Sequence, residues 1–193
     1  MRDYHGYIQS RRLMLQAKPV LRQNWTALAV AQHLAGELVS AEQTLKTYEG
    51  TLKQPPPSAD FEHSEAQLYR SMIIEESGDT DRALEHLESI AKANLDRVAV
   101  MEARARILLK LNRLDEAEQA YRALLERNNE YRLYYECLEK ACGLERSRKE
   151  DVPKLVELYD SFIRGNDRVD APRRIPLDFL EGLPIQSSLT IDF

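Results

Sequence analysis

Four histidines (His5, His33, His63 and His86) and two cysteines (Cys137 and Cys142) could in principle ligate a metal or serve as base and nucleophile. Their spacing supports neither chemistry. No histidine stands at i, i+3 or i+4 from another, so no helix face carries two imidazoles, and HExxH is absent. The cysteines lie five apart, outside the usual metal and redox spacings, and are expected reduced on a helix of a cytosolic protein. No GxxxxGK or GxGxxG loop cradles a phosphate, and no GxSxG turn raises a serine. The acid pairs Glu75–Glu76 and Glu116–Glu118 read as solvated helix faces. No catalytic residue, metal ligand or cofactor-binding residue is therefore assigned, and no cofactor is expected.

The elements that would carry these residues are helical. Hydrophobic residues make up 43% and charged residues 31%, with only 7 glycines, which suits a folded helical chain. Net charge is -5, so nothing biases the whole chain towards DNA or an anionic membrane. No apolar run approaches the ~20 residues that span a bilayer, and MRDYHGYIQS lacks the apolar centre of a secretory signal. No membrane or DNA partner is expected, and the expected location is cytoplasmic.

A pattern recurs three times. Ala29, Gly36 and Ala41 are matched by Ser71, Gly78 and Ala83, and then by Ala105, Asn112 and Ala117. A large apolar residue or Tyr follows each third member: Leu45, Leu87 and Tyr121. The third members are 42 (83 − 41) and 34 (117 − 83) residues apart. A period near 34 marks a tetratricopeptide-type helical repeat. The longer first interval is accounted for by KQPPPSAD, whose prolines cannot continue a helix. Gly and Asn suit the left-handed residue that closes a helix. Small residues on facing helices let the axes approach closely. Trp25 and Leu28 sit where such a repeat opens with an aromatic residue and Leu.

The expected fold is an all-α, tetratricopeptide-repeat-like α-solenoid of antiparallel helix pairs. Residues 1–18 read as the orphan second helix of a preceding repeat, with Tyr4, Tyr7, Ile8, Met14 and Leu15 on one side. Repeats follow at 20–52, 64–96 and 98–129, with a Pro-rich linker at 53–63. Residues 131–164 form a degenerate repeat whose second helix opens at Pro153, and 165–193 a C-terminal tail. The two ends read as those of a piece of a longer solenoid.

Such an array binds a helix or extended peptide along its groove. The first helix is also basic: Arg2, Arg11, Arg12, Lys18 and Arg22 stand against Asp3 alone. These are candidate, salt-dependent contacts to ribosomal RNA.

Particular stretches carry a closer likeness. MRD at 1–3, GY at 6–7, LQAKPVLRQNW at 15–25, SEAQLYRSMIIEESG at 64–78, ALEHL at 83–87, YYECLEKA at 134–141 and APRRIPLDFLEG at 171–182 occur in order. Together they resemble the auxiliary subunit of the N-terminal acetyltransferase A complex, from Met1 to about Gly182. The resemblance implies a non-catalytic scaffold that wraps a separate, acetyl-CoA-binding catalytic subunit. It implies a shift of that enzyme towards small N-terminal residues exposed after Met removal. It further implies attachment to the ribosome, so that acetylation is co-translational. Family members are several times longer, and this stretch corresponds to an internal part of their N-terminal half. The catalytic subunit's Arg/Gln-x-x-Gly-x-Gly/Ala loop is absent. The alternative is a co-chaperone adaptor that clamps a chaperone's C-terminal carboxylate. Its Lys, Asn and second cationic positions are occupied here by Thr26, Val30, Ala99 and Ala103.

Overall fold

The computed structural model describes residues 3–52, 60–166 and 168–180, and these form helices joined by short turns. Two compact units divide at Arg113 and Leu114. The first holds α1 (Tyr4–Ala17), α2 (Arg22–Leu34), α3 (Leu38–Thr51), α4 (Phe61–Glu76), α5 (Thr80–Ile90) and α6 (Arg97–Lys110). The second holds α7 (Leu114–Arg127), α8 (Arg132–Ala141), α9 (Val152–Gly165) and two short turns of helix, α10 (Ala171–Arg174) and α11 (Leu177–Leu180). No strand occurs among the described residues.

Aspartates start four of these helices. Asp3, Asp60, Asp79 and Asp96 each accept a hydrogen bond from the backbone N–H three residues on, at 2.8, 3.0, 3.3 and 2.9 Å. Each such cap stabilises its helix by roughly 1 kcal/mol. The Asp60 cap explains why α4 begins at Phe61, so that 61–63, assigned to the linker by sequence, are helical. Pro153 lies in the first turn of α9, where its missing N–H costs nothing.

Left-handed residues stop the helices. Gly36, Gly78, Asn112 and Gly143 have φ of +80°, +94°, +58° and +69°. At three of the ends the hydrogen bonds are the same. The residue after the left-handed one donates back across the turn: Glu37 to Gln32, Arg113 to Leu108 and Leu144 to Glu139, at 2.9, 3.0 and 2.9 Å. This is the six-to-one closure that satisfies orphan carbonyls at a helix end. Gly143 closes α8 in the same way, although no small residue or Ala stands around it at the repeat's spacing.

In the first unit, consecutive helices pack on one another from α1 to α6. Ala29 of α2 and Ala41 of α3 are wholly buried and cluster with Leu45 and with Ile73 of α4. Full burial of a side chain such as Leu45 contributes roughly 1.5–3 kcal/mol. A second cluster joins Ile8 of α1 to Leu28 and Ala31 of α2. The half-buried Trp25 donates its indole N–H to the Pro19 carbonyl at 2.9 Å, fastening α2 to the preceding turn. On α1 only Ile8 is buried, while Tyr4, Tyr7, Leu13 and Met14 are exposed.

The second unit is held by aromatic packing. Tyr135 lies 5.5 Å from Tyr159 and meets Phe162 edge-on at 5.3 Å, measured between ring centroids. The buried Glu139 carboxylate takes two bonds from Arg146, at 2.8 and 3.0 Å, and accepts the Tyr159 hydroxyl. Part of the C-terminal tail packs: Val169, Pro172 and Ile175 are buried, and Glu130 accepts the Asp170 and Ala171 N–H groups.

Candidate functional site

An open cleft of about 430 Å³ lies in the first unit between α2 and α4. From α2 come Arg22, Gln23 and Thr26, from α3 Tyr48, and from α4 Phe61, Glu62, Glu65, Ala66 and Tyr69. Helical spacing places the α4 residues on neighbouring faces, since i, i+3 and i+4 side chains stand together. Tyr48 and Ala66 are buried, Tyr69 is half-buried, and Phe61 is exposed at the rim.

Two polar arrangements brace this cleft. His33 of α2 bridges to α4, its Nδ1 lying 2.6 Å from the Tyr69 hydroxyl and its Nε2 2.7 Å from the Glu76 carboxylate. A carboxylate only accepts, so Nε2 donates to Glu76. Burial, and then the Glu76 charge, hold the Tyr69 phenol above its ordinary pKa. Arg22 pairs with Asp60, whose own pKa is lowered first by the His63 N–H and then by Arg22.

Behind the cleft, Glu42 of α3 receives Arg82 of α5 and lies 3.7 Å from Arg70 of α4, which also pairs with Glu49. Arg82 is the main cause that holds the Glu42 carboxyl below the ordinary range. His86 of α5 faces this group and lies 2.6 Å from the Ser71 hydroxyl. Burial, reinforced by Arg70 and Arg82 and opposed by Glu42, pulls its pKa down from 6.5 to about 4. Three helices are thus joined by charges as well as apolar packing.

The repeat positions lie inside. Ala29, Ala41, Ala83, Ala105 and Ala117 are wholly buried, and Ser71 is 3% exposed. Gly36, Gly78 and Asn112 occupy the left-handed turns. Arg2 lies outside the described residues. Arg11 rests over the Tyr7 ring at 5.0 Å, and Arg12 and Lys18 are exposed. Arg22 is at the cleft with its charge matched by Asp60.

The reading of the Glu75–Glu76 pair is corrected. Glu75 is not on a solvated face: it is buried, paired with Arg106 and 3.5 Å from Lys110 of α6, while Glu76 bonds to His33. Sequence spacing within α4 could not show this, because both cations arrive from a helix more than a repeat-half away. The cleft escaped for the same reason, as its walls come from three helices. The Gly143 turn could have been found, since Gly follows an apolar helical stripe there.

Among the described residues, no group of three or more His, Cys, Asp and Glu is arranged to hold a metal ion. Nor is any helix long and apolar enough to cross a membrane. The two cysteines are unpaired with each other, and burial, followed by Glu118, raises the Cys142 thiol.

The chain is 38% identical to the N-terminal acetyltransferase A complex auxiliary subunit NAA15 of Arabidopsis thaliana, over 94% of its own length and 21% of that protein's. It is 35% identical to the N-alpha-acetyltransferase 16, NatA auxiliary subunit, of Mus musculus, over 94% of its length and 20% of the mouse protein's. It therefore spans about a fifth of the curated relatives it matches. Among solved structures, one of Naa15/Naa10 bound to HypK-THB superposes with a TM-score of 0.87 at 53% identity, covering 94% of this chain and 27% of that one. A tetratricopeptide repeat protein from Parabacteroides merdae superposes with a TM-score of 0.60 at 18% identity, over 92% of this chain and 66% of its own, which shows the helical-repeat fold alone. The family profile described as N-terminal acetyltransferase A, auxiliary subunit, matches residues 61–190, past the point near Gly182 where the resemblance was expected to end. With its repeat fold and the larger part of its length matched, the chain belongs to the N-terminal acetyltransferase A auxiliary subunit family.

Proposed function

We propose that this chain is part of a non-catalytic scaffold that holds the catalytic subunit of an N-terminal acetyltransferase and supports acetylation of nascent chains at the ribosome, in the cytoplasm. The observation that carries this reading is the 53% identity, over 94% of the chain, to a structure of Naa15/Naa10 bound to HypK-THB. Helix pairs fastened by ion pairs and buried alanines suit a scaffold, whose task is to hold a surface in fixed geometry. The family profile and the curated relatives name an auxiliary subunit, which supports a role beside an enzyme. Arg11 and Arg12 of the first helix, Lys18 just past its end, and Arg2 are the proposed ribosome contacts, and Arg22 contributes least because Asp60 already holds it. The carboxylate-clamp alternative finds no support: Thr26 and Val30 on α2, and Ala99 and Ala103 on α6, carry no charge.

The deciding experiment is co-purification of the chain with the catalytic subunit, alone and as part of a longer family member. Retention of the catalytic subunit by the longer protein, with no acetyl-CoA turnover by the chain alone, supports the scaffold. Failure of both to retain it, or turnover by the isolated chain, removes the proposal.

A further inference from the structure

The α2–α4 cleft has a polarity that scaffolding alone does not require. Its floor is aromatic, and at its mouth Phe61 stands 68% exposed. Of the charged side chains lining it, Arg22 is matched by Asp60. Glu62 and Glu65 are exposed, and neither forms a close ion pair among the described residues, while Glu62 acts on Arg22 at longer range. They lie three apart on α4 and so stand on one side of it. The Tyr69 hydroxyl is already engaged by His33. Once Arg22 and Asp60 cancel, two negative charges remain beside an apolar surface.

We propose that this cleft docks an extended segment of a partner protein in which a lysine or arginine stands next to an apolar side chain. The cation lies between Glu62 and Glu65, where both carboxylates accept charge-assisted hydrogen bonds. Its alkyl stem runs over the tyrosine rings, because long basic side chains bury their methylenes while the charge stays wet. The neighbouring apolar side chain covers Phe61, which is otherwise left in water. This polarity is the reverse of a carboxylate clamp: an acidic C-terminus meets two like charges and no free cation, so the site selects by repulsion as well as attraction. The inference rests on the scaffold reading and deepens it, naming the chemistry of the segment that this part of the repeat receives.

The test uses the whole 193-residue chain and two capped, fluorescently labelled peptides, Gly-Leu-Lys-Leu-Arg-Gly and Gly-Leu-Glu-Leu-Glu-Gly, followed by anisotropy at low and higher salt. The basic peptide is expected to bind and the acidic one not to. The double variant Glu62→Gln, Glu65→Gln should weaken binding about fivefold and flatten its salt dependence, as exposed ion pairs do. Phe61→Ala should weaken it at both salts. These residues are exposed, so circular dichroism should match the parent's. Equal binding of the two peptides, or indifference to the glutamine variant, overturns the proposal. So does a chain dimer, seen by sedimentation, that the glutamine variant dissolves while the peptide fails to bind. Capture of the catalytic subunit is scored separately. If capture fails while the basic peptide binds selectively, the scaffold reading is lost. If capture succeeds while the peptides bind alike, only the cleft assignment is lost.

Discussion

Asn112 holds a left-handed backbone without being glycine, at φ +58°. Asn tolerates that region better than residues whose side chains cannot bond locally, and glycine tolerates it best. Asn112→Ala should therefore lower stability by about 1 kcal/mol, and Asn112→Gly should leave it within about 0.5 kcal/mol, as read from urea midpoints. A larger loss with Gly than with Ala would contradict the turn geometry. His86 makes a second case. In the unfolded chain it takes up a proton as pH falls through 6.5, while in the folded chain it resists until about 4. Over that interval the unfolded state binds more protons, so the stability His86 contributes is fully present above 6.5 and is lost as pH falls. Between about pH 7 and about pH 5 the chain should lose on the order of 1–2 kcal/mol, after allowance for solvent screening. His86→Asn, which keeps a partner for Ser71 but does not titrate, should lose less over the same interval in urea titrations. Such local demands are legible in sequence: a left-handed turn calls for Gly or Asn whatever surrounds it. The His86 environment is not legible, because Arg70, Glu42 and Ser71 come from two other helices.

Helices approach one another here through their smallest residues. At the α2–α3 contact Ala29 and Ala41 have no exposed surface, and Leu45 and Ile73 close around them. Ala41→Leu adds volume where none is free, so it should cost about 1–3 kcal/mol and lower the melting temperature. The exposed Val39→Ala, two residues away, should change stability by under about 0.5 kcal/mol. Near-equal melting temperatures for the two variants would mean that the helices can part without penalty. The periodic alanines make this kind of contact visible from sequence, since one helix pair is built from residues close in the chain. Contacts between pairs are hidden. Glu75 reads as a surface acid until α6 brings Arg106 and Lys110 over it. The short helix α10 carries no period long enough to recognise, yet its Pro172 and the Ile175 that follows it are buried.

The described residues carry helical repeats and a family likeness along nearly all of a chain that is about a fifth of its relatives' length. Family and fold class were legible because order and spacing of motifs survive in a repeat array; the acidic cleft was not, because nothing in one repeat announces it. If Arg11, Arg12 and Lys18 touch ribosomal RNA, their replacement by Gln should weaken cosedimentation with ribosomes. It should also reduce the slope of log affinity against log salt by about 2, since each phosphate contact contributes roughly 0.7–0.9. An unchanged slope would assign ribosome contact elsewhere. Finally, Trp25 is the sole tryptophan of the sequence, and its indole is tied to the turn between α1 and α2. Intrinsic emission excited at the red edge therefore reports one joint and not the bulk of the helices. Were α1 to peel away ahead of the rest, the emission colour would shift while ellipticity was still nearly intact. Nature has left this chain with its own built-in optical gauge, placed where the first helix meets the second.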